Sequence, residues 1–150
     1  MKRLPREKNS TIKEIFSAAD AIPLQRPLFL SGVSAGFPSP ADDYLDRKLD
    51  LNEHLVKNPA ATFFVRVAGD SMIGAGINDN DILVVDRSLE PASGSIVIAV
   101  INGELTVKRL LKRKDSWRLV AENPDYPDLE IVAETPLEIW GVATYAIHSL

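Results

Sequence analysis

Ser71, in Gly69-Asp70-Ser71-Met72, and Lys108, in Glu104-Leu105-Thr106-Val107-Lys108-Arg109, stand 37 positions apart. A serine hydroxyl is a weak nucleophile until a base takes its proton. A lysine amine can be that base once burial lowers its pKa from the ordinary value of about 10.4. Ser-Lys pairs are a known variant of the serine triad. Upstream, Ala35-Gly36-Phe37-Pro38-Ser39-Pro40 offers a bond between two small residues, whose backbone can approach a cleft closely. A nucleophile, a base and an accessible bond in one chain point to peptide hydrolysis on the chain itself.

Each element has an ordinary reading too. Gly69 frees the backbone to turn, so that the Ser71 hydroxyl and neighbouring amides could face a substrate carbonyl. Taken alone, though, a Gly-x-Ser is a common loop sequence. On a strand, Lys108 would share a face with Thr106 and Leu110 and oppose Val107, a partly apolar wall suited to a neutral amine. A lone strand lysine is otherwise solvated, and Ala35-Gly36 otherwise a linker.

Composition narrows the classes. The 150 residues leave room for one domain and a short arm, and 45% apolar content supports a core. There are no cysteines, which excludes disulfides, thiol catalysis and cysteine-bound metal and fits a reducing compartment. The two histidines, His54 and His148, sit in no recognisable catalytic context. No metal or cofactor is called for. The basic start, Met1-Lys2-Arg3-Leu4-Pro5-Arg6, lacks a following apolar stretch, and no segment approaches the ~20 apolar residues of a membrane span. The expected location is the cytoplasm. Net charge is −4, split as +3 over residues 1–35 and −7 over residues 36–150. An acidic body disfavours a phosphate-binding face, and the basic arm reads as attracted to that body.

The positioning elements are mostly β. In residues 1–35, the spacing of Thr11 and Glu14, with Ile12, Ile15, Phe16 and Ala19 on one face, predicts a short helix. Residues 28–34 could form a strand, and Pro23, Pro27 and Gly32 read as extended or flexible chain. Ser39-Pro40 predicts a helix start, with Tyr44, Leu45 and Leu49 sharing a face. Asp50 and Glu53 predict a second cap before Leu51, Leu55 and Val56, closed by Pro59. From Thr62 onward the pattern is strands: Thr62–Val67, Ile82–Val85, Ser95–Ile101, Glu104–Leu111, Trp117–Val120, Leu129–Val132 and Leu137–Ile147. Asn78-Asp79-Asn80-Asp81 is a turn, and Asn102-Gly103 a tight hairpin. The expected fold is a mainly β, small antiparallel barrel or sandwich with short N-terminal helices and a flexible N-terminal arm.

In that order and spacing the motifs resemble the LexA/UmuD family of self-cleaving Ser-Lys proteases, most closely its UmuD branch, over roughly residues 27–148. The carriers are Ala35 to Ala41, Leu49-Asp50-Leu51-Asn52, Pro59 to Val65, Gly69 to Ile73, Gly76-Ile77-Asn78-Asp79, Leu83-Val84-Val85-Asp86 and Gly103 to Lys108. The resemblance implies Ser71 as nucleophile and Lys108 as general base. It implies an oxyanion hole from the amides of Asp70 and Ser71, Met72 lining the cleft, and cleavage between Ala35 and Gly36. Residues 1–35 would be the removed arm and 36–150 the peptidase domain.

The resemblance further implies stimulation by a RecA filament on single-stranded DNA. It implies a homodimer whose trimmed form joins a UmuC-like translesion polymerase in SOS mutagenesis. No direct sequence-specific DNA binding is expected, because no recognition-helix pattern is present. Two rivals remain: a non-cleaving interaction module of the same fold, and a LexA-like repressor or antirepressor. The first would leave processing absent with or without Ser71, and the second would bind specific duplex DNA.

Overall fold

A computed structural model describes residues 11–17, 25–29 and 45–150. Among the described residues, ten strands and one short helix dominate, with two single 3-10 turns. The strands are β1 (Thr11–Ser17), β2 (Gln25–Phe29), β3 (Leu45–Asp50), β4 (Thr62–Ala68), β5 (Ile82–Asp86), β6 (Ile96–Ile101), β7 (Glu104–Arg113), β8 (Ser116–Val120), β9 (Leu129–Ile131) and β10 (Leu137–Ile147). Helix α1 spans Leu51–Leu55. Eight strands form one antiparallel sheet in the order β1-β4-β5-β10-β6-β7-β8-β9. The sheet curls until β1 also meets β7, at Thr11 opposite Thr106. Strands β2 and β3 form a separate antiparallel pair.

The mainly β expectation therefore holds, and each predicted strand from Thr62 onward is present within a residue or two of its expected limits. Asn102 and Gly103 have φ of 50° and 82°, the left-handed pair that a two-residue hairpin needs. They fix the β6–β7 register from Ile101 opposite Glu104 to Ile96 opposite Arg109. The nearly continuous apolar run of β6 is explained by burial on both faces. Ile98 joins a cluster with Phe63, Val65, Val67, Met72, Leu83, Val85 and Val107 inside the curl. Val97 and Ala99 join a second cluster with Leu110, Leu119 and Val142. The Asp50 cap also forms: its carboxylate accepts from the amides of Asn52 at 2.9 Å and Glu53 at 3.4 Å.

Two helix expectations are corrected. Residues 11–17 are not helical but form β1, paired antiparallel with β4 from Thr11 opposite Ala68 to Ser17 opposite Phe63. Leu45 and Leu49 lie not on a helix but on β3, opposite Phe29 and Arg26. A spacing of four suits a strand as well as a helix, since four is a multiple of the strand period and close to one helical turn. A short isolated helix is marginal in water, whereas an open strand edge supplies a full ladder of hydrogen bonds. The proposed helix start at Ser39-Pro40 lies outside the described residues, as does residue 30 onward of the strand expected at 28–34. Among the described residues no helix is long and apolar enough to cross a membrane.

Candidate active site

Strand β4 ends at Ala68, and Gly69 turns the chain with φ 90°, a conformation that side-chain-bearing residues rarely adopt. The turn is tied down on one side by Asp79, whose carboxylate accepts the Gly69 amide at 2.9 Å and meets Lys13 of β1 at 3.5 Å. The Gly69 hydrogen bond is the main influence holding the Asp79 carboxyl below its ordinary pKa. Ser71 follows and is fully buried. Met72 is fully buried as well, within the inner apolar cluster, so it anchors the serine loop in the core. Its carbonyl accepts the amides of Ala75 and Ile77, closing the 3-10 turn Ile73–Ala75.

Lys108 comes from β7. Its neighbours Val107 and Arg109 point to the opposite face by strand alternation. Lys108 is only 6% exposed. Its Nζ lies 3.4 Å from Ser71 Oγ and 3.2 Å from Thr106 Oγ1. The structure thus brings together the two side chains that the sequence places 37 residues apart. Thr106, two positions earlier on the same face, stands as a second hydroxyl against the amine. A cavity of about 290 Å³ adjoins Lys108, lined by Leu105, Thr106, Leu119, Pro127 and Leu129 among others. Asn102, Glu104 and Asp128 line the same cavity, so the apolar share of its wall is matched by polar groups. A neutral lysine next to a serine hydroxyl can accept that proton, which is the chemistry of nucleophile activation.

The serine loop is braced on its other side by a segment that the sequence did not single out. Gly74 donates its amide to the Glu122 carbonyl at 2.8 Å. The Glu122 carboxylate in turn pairs with Arg109 Nε, and Arg109 Nη1 donates to the Gly94 carbonyl at 2.6 Å. Asn123 Nδ2 donates to the Asp70 carbonyl at 3.1 Å, and Tyr126 Oη donates to the Asp70 carboxylate. Asn123-Pro124-Asp125-Tyr126 reads as a turn, but no sequence signal indicates which loop it grips. Ala35 and Gly36 lie outside the described residues. The two histidines have partners elsewhere: His148 Nδ1 lies 2.7 Å from Asp81 Oδ1, and the His54 ring lies 5.8 Å from that of Tyr145.

Comparison with known proteins gives the chain's family. Residues 27–144 match the Peptidase S24-like family. The chain is 48% identical over 124 residues to Protein ImpA of Salmonella typhimurium, covering 82% of this chain and 83% of that protein. It is 49% identical over 122 residues to Protein SamA of Salmonella typhimurium strain LT2, covering 81% and 84%. It is 37% identical over 142 residues to the LexA repressor of Cupriavidus taiwanensis, covering 94% of this chain and 65% of the repressor. The chain belongs to the Peptidase S24-like family of serine proteases, the LexA/UmuD group that its motifs resemble.

Proposed function

We propose that this chain is a UmuD-like mutagenesis protein that cuts its own Ala35–Gly36 bond with Ser71 as nucleophile and Lys108 as general base. The observation that carries the reading is the 3.4 Å approach of Lys108 Nζ to Ser71 Oγ with both residues buried. Neutral Lys108 takes the Ser71 proton, and Oγ attacks the Ala35 carbonyl carbon. The amides of Asp70 and Ser71 hold the resulting oxyanion. Collapse breaks the Ala35–Gly36 bond, and Lys108 returns its proton to the departing Gly36 amine. Water, deprotonated by the same amine, then hydrolyses the Ser71 ester and frees the Ala35 carboxylate. The cavity beside Lys108 has room for side chains of the extended segment being cut.

In this reading residues 1–35 are a removable arm and 36–150 the peptidase domain. A RecA filament on single-stranded DNA stimulates the cut in the cytoplasm, and the trimmed homodimer serves a UmuC-like translesion polymerase. Support for these partners is the family membership and the similarity to ImpA and SamA.

The test is mass spectrometry of purified protein incubated alone at alkaline pH and with activated RecA near neutrality. The parent is expected to yield fragments of 35 and 115 residues, with Gly36 as the new terminus. Ser71→Ala and Lys108→Ala are expected to stay whole while keeping the parental melting curve. The alkaline rate should climb with pH as the Lys108 ammonium empties, then level off. Trimming of Lys108→Ala at the parental rate would refute the assignment, and a different new terminus would move the cut.

A further inference from the structure

The proposed oxyanion hole depends on where one peptide plane points. The Asp70 carbonyl and the Ser71 N–H belong to the same planar trans unit, so they face opposite ways and cannot be aimed independently. Gly69, immediately before, contributes no side chain to restrain that unit. The Ile73 amide, 3.2 Å from the Asp70 carbonyl, belongs to the same loop and moves with it. The restraint from outside comes from Asn123, whose Nδ2 donates to that carbonyl at 3.1 Å.

Asn123 is itself held in one orientation. Its Oδ1 accepts the Asp125 amide at 3.0 Å, which leaves Nδ2 for Asp70. Its carbonyl accepts the Tyr126 amide at 3.1 Å, closing a turn with Pro124 at the position where a fixed φ favours it. Tyr126 is 8% exposed, and its hydroxyl donates to the Asp70 carboxylate. One turn therefore grips Asp70 twice, by its main chain and by its side chain. Both side chains bond Asp70, the residue before Ser71, and act through it.

We propose that Asn123 and Tyr126 are positioning residues that aim the Ser71 N–H into the oxyanion hole. This rests on the self-cleavage reading given above and adds to it a division of labour. Lys108 sets the pH at which the serine becomes active, and the 123–126 turn sets the rate reached once it is active. Burial, followed by the Asp70 hydrogen bond and charge, pushes the Tyr126 phenol up to about 12. Tyr126 thus remains a hydrogen-bond donor through the alkaline range in which unassisted cleavage is measured.

The experiment is a pH–rate profile of self-cleavage for the full chain and for Asn123→Ala, Asn123→Asp and Tyr126→Phe. Melting curves are recorded in the Ser71→Ala background so that the chain stays whole. Removing an oxyanion donor outright costs about 10²–10³-fold in rate. Misaiming one should cost less, so the plateau is expected to fall about 10- to 100-fold in Asn123→Ala. Asn123→Asp keeps the shape but turns the donor into an acceptor facing a carbonyl, and should fall at least as far. Tyr126→Phe keeps the buried ring and should lose about 10-fold. In all three the pH midpoint should match the parent and melting should shift by only a few degrees.

A parental plateau in both Asn123→Ala and Tyr126→Phe overturns the inference while leaving the dyad intact. So does a moved midpoint with an unchanged plateau, which would couple the turn to Lys108 instead. A rate deficit that vanishes on cooling, in step with a lowered melting temperature, also overturns it, since the turn would then serve stability alone. Cleavage of the Ser71→Ala chain overturns the underlying reading together with this one.

Discussion

Replacing Gly74 by alanine tests how rigidly the serine loop is held, and the structure sets both the sign and the size. A Cβ built on Gly74 would stand 2.6 Å from the Glu122 carbonyl oxygen and 3.5 Å from the Glu122 Cβ. The first obstacle is backbone, which cannot swing aside as a side-chain end could. To reach the 3.4 Å of ordinary contact, the carbonyl must retreat by about 0.8 Å. That retreat strains the 2.8 Å hydrogen bond from the Gly74 amide, a loss of about 1 kcal/mol. Overpacking adds a further ~1–3 kcal/mol. Where alanine fits, the same substitution stabilises by about 0.4–1 kcal/mol through the unfolded chain. The expected net effect is a loss of about 2 kcal/mol, or roughly 4–8 °C in melting temperature for a chain of this size.

The rate should suffer more than the stability. Ser71 lies three residues upstream in the same loop, and a misplacement of about 1 Å at a reacting group can cost on the order of 100-fold. Self-cleavage, followed on gels well below both melting temperatures, should slow by about 10-fold or more. A Gly74→Ala chain that melts at or above the parent and cuts at the parental rate would refute the argument. The 122–126 segment would then be yielding, not a brace.

Asp86 gives a pH test of stability. Burial pushes its carboxyl up, but hydrogen bonds from Ser88 and Asn58 outweigh that and hold it below the ordinary 3.8. A folded-state value below the unfolded one contributes stability that is present above the unfolded pKa and lost as pH falls through the folded pKa. Asp86→Ala should cost about 1–3 kcal/mol near neutrality, because the Asn58 amide and the Ser88 groups at 2.8 and 2.5 Å lose their acceptor. The gap from parent, measured by urea melts, should narrow below about pH 4, and a constant gap would contradict the account. Gly36→Trp should block trimming with little change in melting, since under the proposed cut a large side chain next to the scissile carbonyl would collide with the surroundings of Ser71. Normal processing of that variant would place the cut elsewhere.

Much of the sheet was legible because local and long-range requirements agree there. Asn102-Gly103 specifies a tight hairpin by conformation alone, and β6 must be apolar on both faces because clusters lie on both. The segment from Thr11 to Ser17 was illegible for the opposite reason. Ile12 and Phe16, four apart, satisfy either period while Ile15 adds a helical spacing of three, and what decides is the edge of β4, which offers the segment a ladder. Only Ile12 packs against the core, while Ile15 and Phe16 stay 45% and 42% exposed. Side-chain pattern could not reveal a strand held chiefly by its backbone.

At the site, the sequence singled out Ser71 and Lys108, which the structure brings to 3.4 Å, but not the bracing. The partners that grip the serine loop are 53 and 56 residues further along, in a turn whose sequence signals a turn and nothing more. Strand β7 explains why the two halves of the site are nonetheless built as one. Lys108 faces Ser71 from one side of the strand. Arg109, next along and pointing the other way, holds the carboxylate of Glu122, whose carbonyl takes the Gly74 amide of the serine loop. A slip of β7 by one residue would exchange those faces, turning Lys108 away from Ser71 and releasing the brace in the same step. The register is protected by the Asn102-Gly103 hairpin and by the burial of Val107 and Leu110 in opposite clusters. The Lys108–Ser71 approach and core packing are therefore enforced by the same register, and a folded β7 that turns Lys108 toward Ser71 also turns Arg109 toward the Glu122 brace of the serine loop.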